Sequence, residues 1–294
     1  MALIDLHIHS QYSNDGEYSP QELMSMCAHS SLKVVAIADH NCIDAIDESR
    51  KLAQEYGLTL IPAIELDCTY ADVNLHLLGY YIEPDKSIFD PVKNSIITQE
   101  QKTCQKRMAL IRGAGIDFDQ EFANSLARNG VVTSEMIAKA ALALDKNRNN
   151  PYLSPYYPGG SRSDNPFVNF YWDYCAQGKP FFVPVTYMSL HDACTLIRKT
   201  GGVPVLAHPG NNIKENEELL QNIFQEDVCG MEVFSSYHNQ VQTDFYLRWS
   251  QQLGVIPTYG SDFHGKTKPS ITLGSIDCQE QAEEICYALQ KARR

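Results

Sequence analysis

Two histidines near the start of the sequence have the spacing of a metal-ligand pair. His7 and His9 lie in the segment IDLHIHSQYSNDG, which we predict to be a short apolar strand that runs into a turn. Side chains two residues apart on a strand point to the same face, so the two imidazoles would emerge side by side. Asp15 adds a carboxylate in the turn. Such a pair on its own is more often structural than metal-binding. The rest of the chain therefore has to distinguish a structural histidine pair from a pair of metal ligands.

Further histidines and acidic residues stand at the ends of other apolar segments. Predicted strands over 32–38, 58–64, 203–207 and 255–259 each end just before such a residue, and a strand over 75–82 begins beside one. Because the carboxyl ends of strands in α/β folds meet on one face, we expect these side chains to converge. The candidate metal ligands are His7, His9, Asp15, His40, Glu65, His76, His208, Asp262 and His264.

The types of these side chains favour divalent metal ions. They offer imidazole nitrogens and carboxylate oxygens with no cysteine among them, which suits two or three ions of zinc, manganese or iron. The set is too rich in nitrogen for calcium or magnesium alone. Asp262 and His264 repeat, on another predicted strand, the spacing of His7 and His9. This repetition strengthens the prediction of a metal centre.

The composition limits the partners that such a centre would have. The formal net charge of −12 over 294 residues argues against a dedicated surface for long nucleic acid, which normally needs a basic stripe. It does not exclude a phosphorylated substrate, because bound divalent ions can reverse the local field. We find no apolar run long enough for a membrane span and no signal peptide. We therefore expect a cytoplasmic protein without a membrane partner, with its nine cysteines reduced.

Strands and helices alternate over much of the chain, which predicts an α/β fold built from βαβ units. Ser19, Pro20 and Glu22 have the pattern of a capped helix start, and Gly57 is placed to end a helix over 43–56. A final helix is predicted over roughly 279–292. The alternation is interrupted from about 114 to 187, where a helix over 132–144 precedes a long loop rich in Asn, Pro, Gly and Tyr.

Seven short motifs follow one another through the chain in the order DLHIHS, Asp-Gly, IADHN, AIEL, HLLGY, AHPG and GSDFH. In this order they resemble the PHP (polymerase and histidinol phosphatase) family of metal-dependent phosphoesterases. The resemblance implies a distorted (β/α)7 barrel that binds up to three metal ions. It assigns residues 1–113 and 188–294 to the metal-binding barrel, and it leaves 114–187 as a mostly helical inserted subdomain that covers the substrate.

The resemblance also implies which residues hold each ion. The first metal would be held by His7, His9, Glu65 and Asp262. Glu65 would bridge to a second metal, which is held also by His76 and His208. The third metal would be held by Asp15, His40 and His264. Here Asn14-Asp15 stands where the family has a single Asp, so we assign Asp15 and keep Asn14 in reserve.

Divalent ions in such a site would lower the pKa of a shared water, and the resulting hydroxide would attack phosphorus. Glu65 and Asp262 are therefore candidate catalytic residues. His238 could contact phosphate or protonate the leaving oxygen, or it could be a polar loop residue. Arg162 and Lys179 could clamp a phosphate in the inserted segment, or they could be solvated charges.

The sequence therefore predicts a hydrolase that acts on a small phosphomonoester, such as a nucleotide or a sugar phosphate. Asn211-Asn212 follows the AHPG motif where relatives that act on nucleotides often have Arg-Tyr, which counts against nucleotide specificity. Three alternatives stay open. They are an exonuclease on short oligonucleotides, a non-catalytic metal-binding module and a C–N hydrolase of the amidohydrolase type. The oligomeric state is left unassigned.

Overall fold

The computed structural model describes residues 4–276 and 282–294, which divide into two compact units. The first unit comprises Met1–Val92, Tyr187–His264 and Ile271–Arg294, and the second comprises Lys93–Thr186 and Gly265–Ser270. The predicted domain boundaries at 113/114 and 187/188, and the substrate-covering role of the insertion, stay predictions.

Short strands and longer helices alternate along the chain. The described strands are β1 (Ile4–Ile8), β2 (Val34–Ile37), β3 (Thr59–Leu60), β4 (Ala63–Tyr70), β5 (Val73–Tyr80), β6 (Met188–Ser189), β7 (Val203–Leu206), β8 (Gly230–Ser235) and β9 (Ile256–Gly260). The described helices are α1 (Pro20–His29), α2 (Ile46–Tyr56), α3 (Lys86–Gly113), α4 (Gln120–Ser125), α5 (Ser134–Leu142), α6 (Pro166–Phe170), α7 (Leu190–Lys199), α8 (Pro209–Asn212), α9 (Glu217–Ile223), α10 (Gln240–Leu253) and α11 (Ala282–Lys291).

The strands form two sheets, one parallel and one mixed. The first has the order β1-β2-β3, with parallel pairs throughout. The second has the order β6-β4-β5-β7-β8-β9, in which β5 runs antiparallel to both β4 and β7. Isolated bridges join Ile8 of β1 to Phe263, which lies just after β9, and His40, which lies just after β2, to Glu65 of β4. The predicted α/β class is confirmed, with mixed sheets.

Local signals placed several helix ends correctly. The Ser19 hydroxyl accepts a hydrogen bond from the backbone N–H of Glu22, whose carboxylate accepts one from the Ser19 N–H in return. Gly57 ends α2 with a left-handed φ of 68°, a conformation that glycine adopts without a side-chain clash. The last helix is described from Ala282 to Lys291. The part of its predicted range before residue 282 lies outside the described residues.

The prediction that a strand over 58–64 ends at Glu65 is wrong. Pro62 lacks a backbone N–H, and the segment divides into the two-residue β3 and the longer β4, so that Glu65 lies inside β4. A tight turn at Ala71 and Asp72, with φ of 47° and 63°, then folds β5 back onto β4. His76 therefore also lies inside a strand, opposite Asp67.

Apolar packing fixes β1 at the centre of the first unit. Ile4 and Leu6 belong to a buried cluster that includes Val205 and Tyr259, whereas Ile8 belongs to another that includes Leu23 of α1. The whole of β1 is buried. Its polar side chains are therefore held by a rigid strand.

In the second unit, the later part of α3 and helices α4 to α6 surround a core of their own. Ile111, Ile137 and Phe170 are fully buried there. Across the described residues, no helix is both long and apolar enough to cross a membrane.

Candidate metal centre

All nine predicted metal ligands lie in the first unit, and the structure brings them into three overlapping groups. Within each group, one possible ligand atom per residue lies within 4.8 Å of all the others. The first group is His7, His9, Glu65 and Asp262; the second is Glu65, His76 and His208; the third is His9, Asp15, His40 and His264. The third contains His9 in addition to the predicted residues. Which ion each group holds stays a prediction.

The first group surrounds a single point with two nitrogens and two oxygens. Nε2 of His9 lies 3.0 Å from Asp262 Oδ1 and 3.2 Å from Glu65 Oε2. Nε2 of His7 lies 3.3 Å from Asp262 Oδ1 and 3.2 Å from Glu65 Oε2. The two Nε2 atoms are 3.0 Å apart. Lone pairs that converge in this way can coordinate a small cation.

The outer nitrogens of the same two imidazoles face hydrogen-bond acceptors. Nδ1 of His7 lies 3.1 Å from Glu232 Oε1. Nδ1 of His9 lies 2.9 Å from the Ser13 hydroxyl, which itself donates to Asp39 Oδ1 at 2.8 Å. These partners favour a proton on Nδ1 and leave Nε2 as a ligand, as is common for metal-binding histidines. Asp39 therefore contacts His9 through Ser13.

Glu65 divides its two oxygens between the first group and the second. Oε2 faces His7 and His9, whereas Oε1 lies 3.0 Å from His76 Nδ1 and 3.1 Å from His208 Nε2. Glu65 is fully buried. The arrangement is that of a carboxylate able to bridge two cations.

The third group is assembled around the turn after β1. Asp15 Oδ2 lies 3.2 Å from Nε2 of His264 and 3.9 Å from Nε2 of His40. The rings of His9 and His264 stack with centroids 3.9 Å apart. The carboxylate assigned from the sequence thus lies beside both predicted partners.

The unmet polar atoms of the centre fit divalent ions. Glu65 Oε2 and His40 Nδ1 are buried and 3.1 Å apart, yet neither forms a hydrogen bond. Buried polar atoms normally have partners, and leaving them without one is costly. Nitrogen and oxygen donors crowded in this way match the preferences of zinc, manganese and iron.

The carboxylates and imidazoles of the centre shift one another's pKa values, in most cases toward the charged form. Burial lowers the pKa of His9, but Asp262 and Glu65 outweigh it and raise that pKa to about 9. Burial likewise opposes the charge on His76, whereas Glu65 raises its pKa to about 9. Burial alone would raise the pKa of Glu65, yet the surrounding imidazoles hold it well below its usual range. For His40, burial dominates and lowers the pKa to about 3.

Metal binding is therefore expected to release protons. In the metal-free protein His9 and His76 keep their protons up to a pH of about 9, and a metal must displace them because only the neutral imidazole is a ligand. The apparent affinity should rise with pH up to that value, by about tenfold per pH unit for each proton released. Calorimetry in two buffers of different ionisation enthalpy measures the proton count. An affinity that stays constant between about pH 6 and pH 8 would contradict these pKa directions.

Backbone strain marks the ends of three strands at the centre. Asn41, His208 and Asp262 have positive φ angles of 52°, 22° and 56°. Non-glycine residues rarely adopt such angles, and those that do are concentrated at functional sites. Asn41 is held by Asp67, which accepts from its amide at 2.7 Å and donates a backbone N–H to it at 3.0 Å.

Three functional candidates were missed from the sequence. Glu232 contacts His7 from the interior of β8, and the Tyr237 hydroxyl donates to Asp262 Oδ2 at 2.6 Å. Asp67 Oδ1 lies 3.3 Å from His76 Nε2, and together with His40 these residues form a further possible metal group. Asp67 stands two residues after Glu65 on the same strand, so the spacing that identified His7 and His9 could have found it.

The three predicted substrate-binding residues have other contacts. Nδ1 of His238 donates to the Val233 carbonyl at 2.8 Å, and its Nε2 accepts from the Gly210 N–H at 3.0 Å. In the second unit, the guanidinium of Arg162 forms two bonds, of 2.9 and 3.0 Å, to the Asp173 carboxylate. Lys179 is exposed in the same unit. Their predicted roles toward substrate stay predictions.

Comparison with known proteins gives one match to a family model and several relatives of similar length. Residues 5–148 match the model described as the PHP domain. A 3',5'-nucleoside bisphosphate phosphatase of Chromobacterium violaceum is 27% identical over 90% of this chain and 88% of its own. A 5'-3' exoribonuclease of Haemophilus influenzae is also 27% identical, over 88% of this chain and 89% of its own.

A solved structure shares the fold. It is that of an amidohydrolase from Chromobacterium violaceum with bound sulfate and no metal, and it aligns with a TM-score of 0.77 at 22% identity. The alignment covers 98% of this chain and 97% of the other. At this level of identity the likeness concerns the fold alone.

Proposed function

Since the chain belongs to the PHP family through the domain matched at residues 5–148, we propose that it is a metal-dependent phosphoesterase that hydrolyses a small phosphomonoester of the nucleotide or sugar phosphate class. The observation that carries this proposal is the position of Glu65. Its two oxygens face two different groups of possible ligands, at 3.0–3.2 Å from the nearest imidazole nitrogens. Adjacent cation sites joined by a carboxylate are typical of enzymes that transfer phosphoryl groups to water.

Two or three divalent ions, of manganese, iron or zinc, are the proposed cofactors. When bound, they supply an acidified water as the nucleophile and draw charge off the phosphoryl oxygens. Glu65 holds the first and second groups at a fixed separation, and Asp262 supplies a carboxylate oxygen to the first. Tyr237, which donates to the other oxygen of Asp262, orients that carboxylate. His238 stays a candidate for contact with phosphate or the leaving oxygen.

We also propose that the strands of the first unit close into the distorted (β/α)7 barrel that the motifs imply. Support comes from the bridges at Ile8–Phe263 and His40–Glu65, which each join a strand of one sheet to the segment that follows a strand of the other. The backbone N–H of His9 also donates to the Phe263 carbonyl at 2.9 Å, and that of Asp262 donates to the His7 carbonyl at 2.8 Å. These bonds hold the end of β1 and the segment after β9 together at the proposed metal centre.

An exonuclease acting on short oligonucleotides is the second candidate. It is favoured by the exoribonuclease relative, which is as similar to this chain as the bisphosphate phosphatase relative is. The net charge of −12 weighs against long polymers but leaves short oligonucleotides open.

A substrate panel distinguishes the candidates. Metal-loaded enzyme is assayed for phosphate release from nucleoside mono- and bisphosphates, sugar phosphates and histidinol phosphate, and for nucleotide release from 5'-phosphorylated oligoribonucleotides of increasing length. We expect phosphate release from a small monoester, abolished by a chelator and restored by metal. Nucleotides released from oligomers without turnover of any monoester would favour the exonuclease. Bound metal with no turnover of either class would exclude both candidates, and a separate assay with cyclic amides would then distinguish a C–N hydrolase from a non-catalytic binding module.

A further inference from the structure

We infer that Glu232 is a positioning residue that holds one ligand of the first group and one of the second, so that the metal affinity of both groups depends on its carboxylate. The inference rests on the proposed function only in that the centre binds metal. It concerns a residue that lies inside an apolar strand, between Met231 and Val233, where a carboxylate needs a specific reason to be buried.

Each oxygen of Glu232 accepts a hydrogen bond from a different candidate ligand. Oε1 accepts from Nδ1 of His7 at 3.1 Å, and Oε2 accepts from the backbone N–H of His208 at 2.8 Å. Glu232 is fully buried, and within the described parts of the chain its ion-pair partner is His7. A buried carboxylate of this kind needs a positive charge nearby, and a cation bound by His7 would supply one.

Glu65 and Glu232 connect the same two histidines from opposite sides. Nε2 of His7 lies 3.2 Å from Glu65 Oε2, and Nε2 of His208 lies 3.1 Å from Glu65 Oε1. The two imidazole rings stack with an interplanar angle of 14°. The four residues thus form a closed loop of contacts, in which a shift of the Glu232 carboxylate disturbs one ligand of each group.

The surroundings fix the Glu232 carboxylate in this position. A Cβ atom added to Gly260 would lie 2.0 Å from Glu232 Oε1 and 2.4 Å from the Cβ of His7, so only glycine leaves room there. On the other side, His208 has a φ of 22°, and its N–H is directed at Oε2. Glu232 therefore stabilises a strained backbone that aims His208 at the centre.

The test is metal binding by Glu232→Gln. Glutamine keeps the shape of the side chain but has a single acceptor oxygen, so it can satisfy either His7 or His208 and not both. We expect the apparent affinities of both groups to fall together, by about 10- to 100-fold, as is usual when a partner of a metal ligand is lost. The metal-free variant should stay folded, with a melting temperature lowered by less than the loss of metal affinity would require.

The measurement is a titration of metal-free protein with zinc or manganese against a chromophoric chelator, with metal per chain counted by elemental analysis. Two further variants calibrate it. His208→Ala removes a ligand of the second group alone and should cost only the metal of that group. Glu226→Gln makes the same chemical change at a Glu–His pair outside the centre, where Glu226 contacts exposed His191 at 2.9 Å, and should change nothing.

Unchanged affinity in Glu232→Gln, or a loss confined to one group as in His208→Ala, overturns the inference. So does a fall in the melting temperature of the metal-free protein that accounts for the whole loss. If Glu232→Gln does not fold, Glu232→Asp replaces it, because the shorter side chain keeps the charge but cannot reach both donors. Metal binding by both groups at wild-type affinity would then overturn the inference. Because metal binding is measured without substrate, the test of Glu232 stays valid even if the protein does not hydrolyse phosphoesters.

Discussion

Replacing Glu65 with glutamine is expected to reduce phosphoester hydrolysis by on the order of 1,000-fold or more, and to lower the metal content of both the first group and the second. The physical reason is that an amide has one oxygen and one NH2 group in place of two equivalent oxygens. One of the two groups must then face an amide nitrogen that cannot bind a cation. Since Oε2 and Oε1 of Glu65 lie at 3.0–3.2 Å from nitrogens of different groups, loss of the negative charge weakens cation binding by both groups, and whichever way the amide turns, one of them also loses its oxygen ligand.

The measurement combines elemental analysis with kcat/KM on the best substrate of the panel. Glu226→Gln again serves as the matched control, because it exchanges the same atoms at a Glu–His pair outside the centre. A Glu65→Gln protein that keeps both its full metal content and its activity would show that Glu65 does not bridge the metals of the first and second groups. A protein that loses metal from one group only would assign Glu65 to that group as an ordinary ligand.

Where the signal was local, the sequence singled out side chains that the structure brings together. His7 of β1 and His9, which directly follows that strand, are fully buried with their Nε2 atoms 3.0 Å apart, on one face as a spacing of two residues predicts. The Ser19 cap and the Gly57 stop were confirmed because capping depends on the residues of a single turn. Such features are set by neighbours in the chain and can be read without knowing the fold.

What the sequence missed depends on contacts between distant segments. Glu232 contacts His7, from which it is separated by 225 positions in the sequence. Nothing in the sequence of its own strand indicates that its carboxylate has a partner. The Ala71-Asp72 turn has two positive φ angles without the Asn-Gly pair that usually signals them, so the β4–β5 hairpin was interpreted as two separate strands. The motif order nevertheless identified Glu65 and His76, although both lie inside strands and not at their ends.

Asp262→Asn is expected to separate the first group from the second. Asp262 Oδ1 lies 3.0 Å from Nε2 of His9 and 3.3 Å from Nε2 of His7, and its carboxylate is not part of the second group. Asparagine tolerates the φ of 56° found here, so the substitution removes charge while the backbone keeps its conformation. We expect loss of metal from the first group, retention in the second, and a fall in kcat/KM of roughly 100- to 1,000-fold.

The comparison of the two variants is more informative than either alone. If Glu65 bridges and Asp262 does not, Glu65→Gln must lower metal content in both groups, whereas Asp262→Asn must leave Glu65, His76 and His208 able to hold their ion. Tyr237→Phe adds a finer comparison, because it removes only the hydroxyl that donates to Asp262 Oδ2 and should weaken the first group less than Asp262→Asn does. Equal metal loss in Glu65→Gln and Asp262→Asn would mean that the first group controls filling of the second. The dependence of both groups on Glu232 is a separate expectation, because Glu232 contacts one ligand of each group, and Glu232→Gln should weaken both groups whichever of these results is obtained.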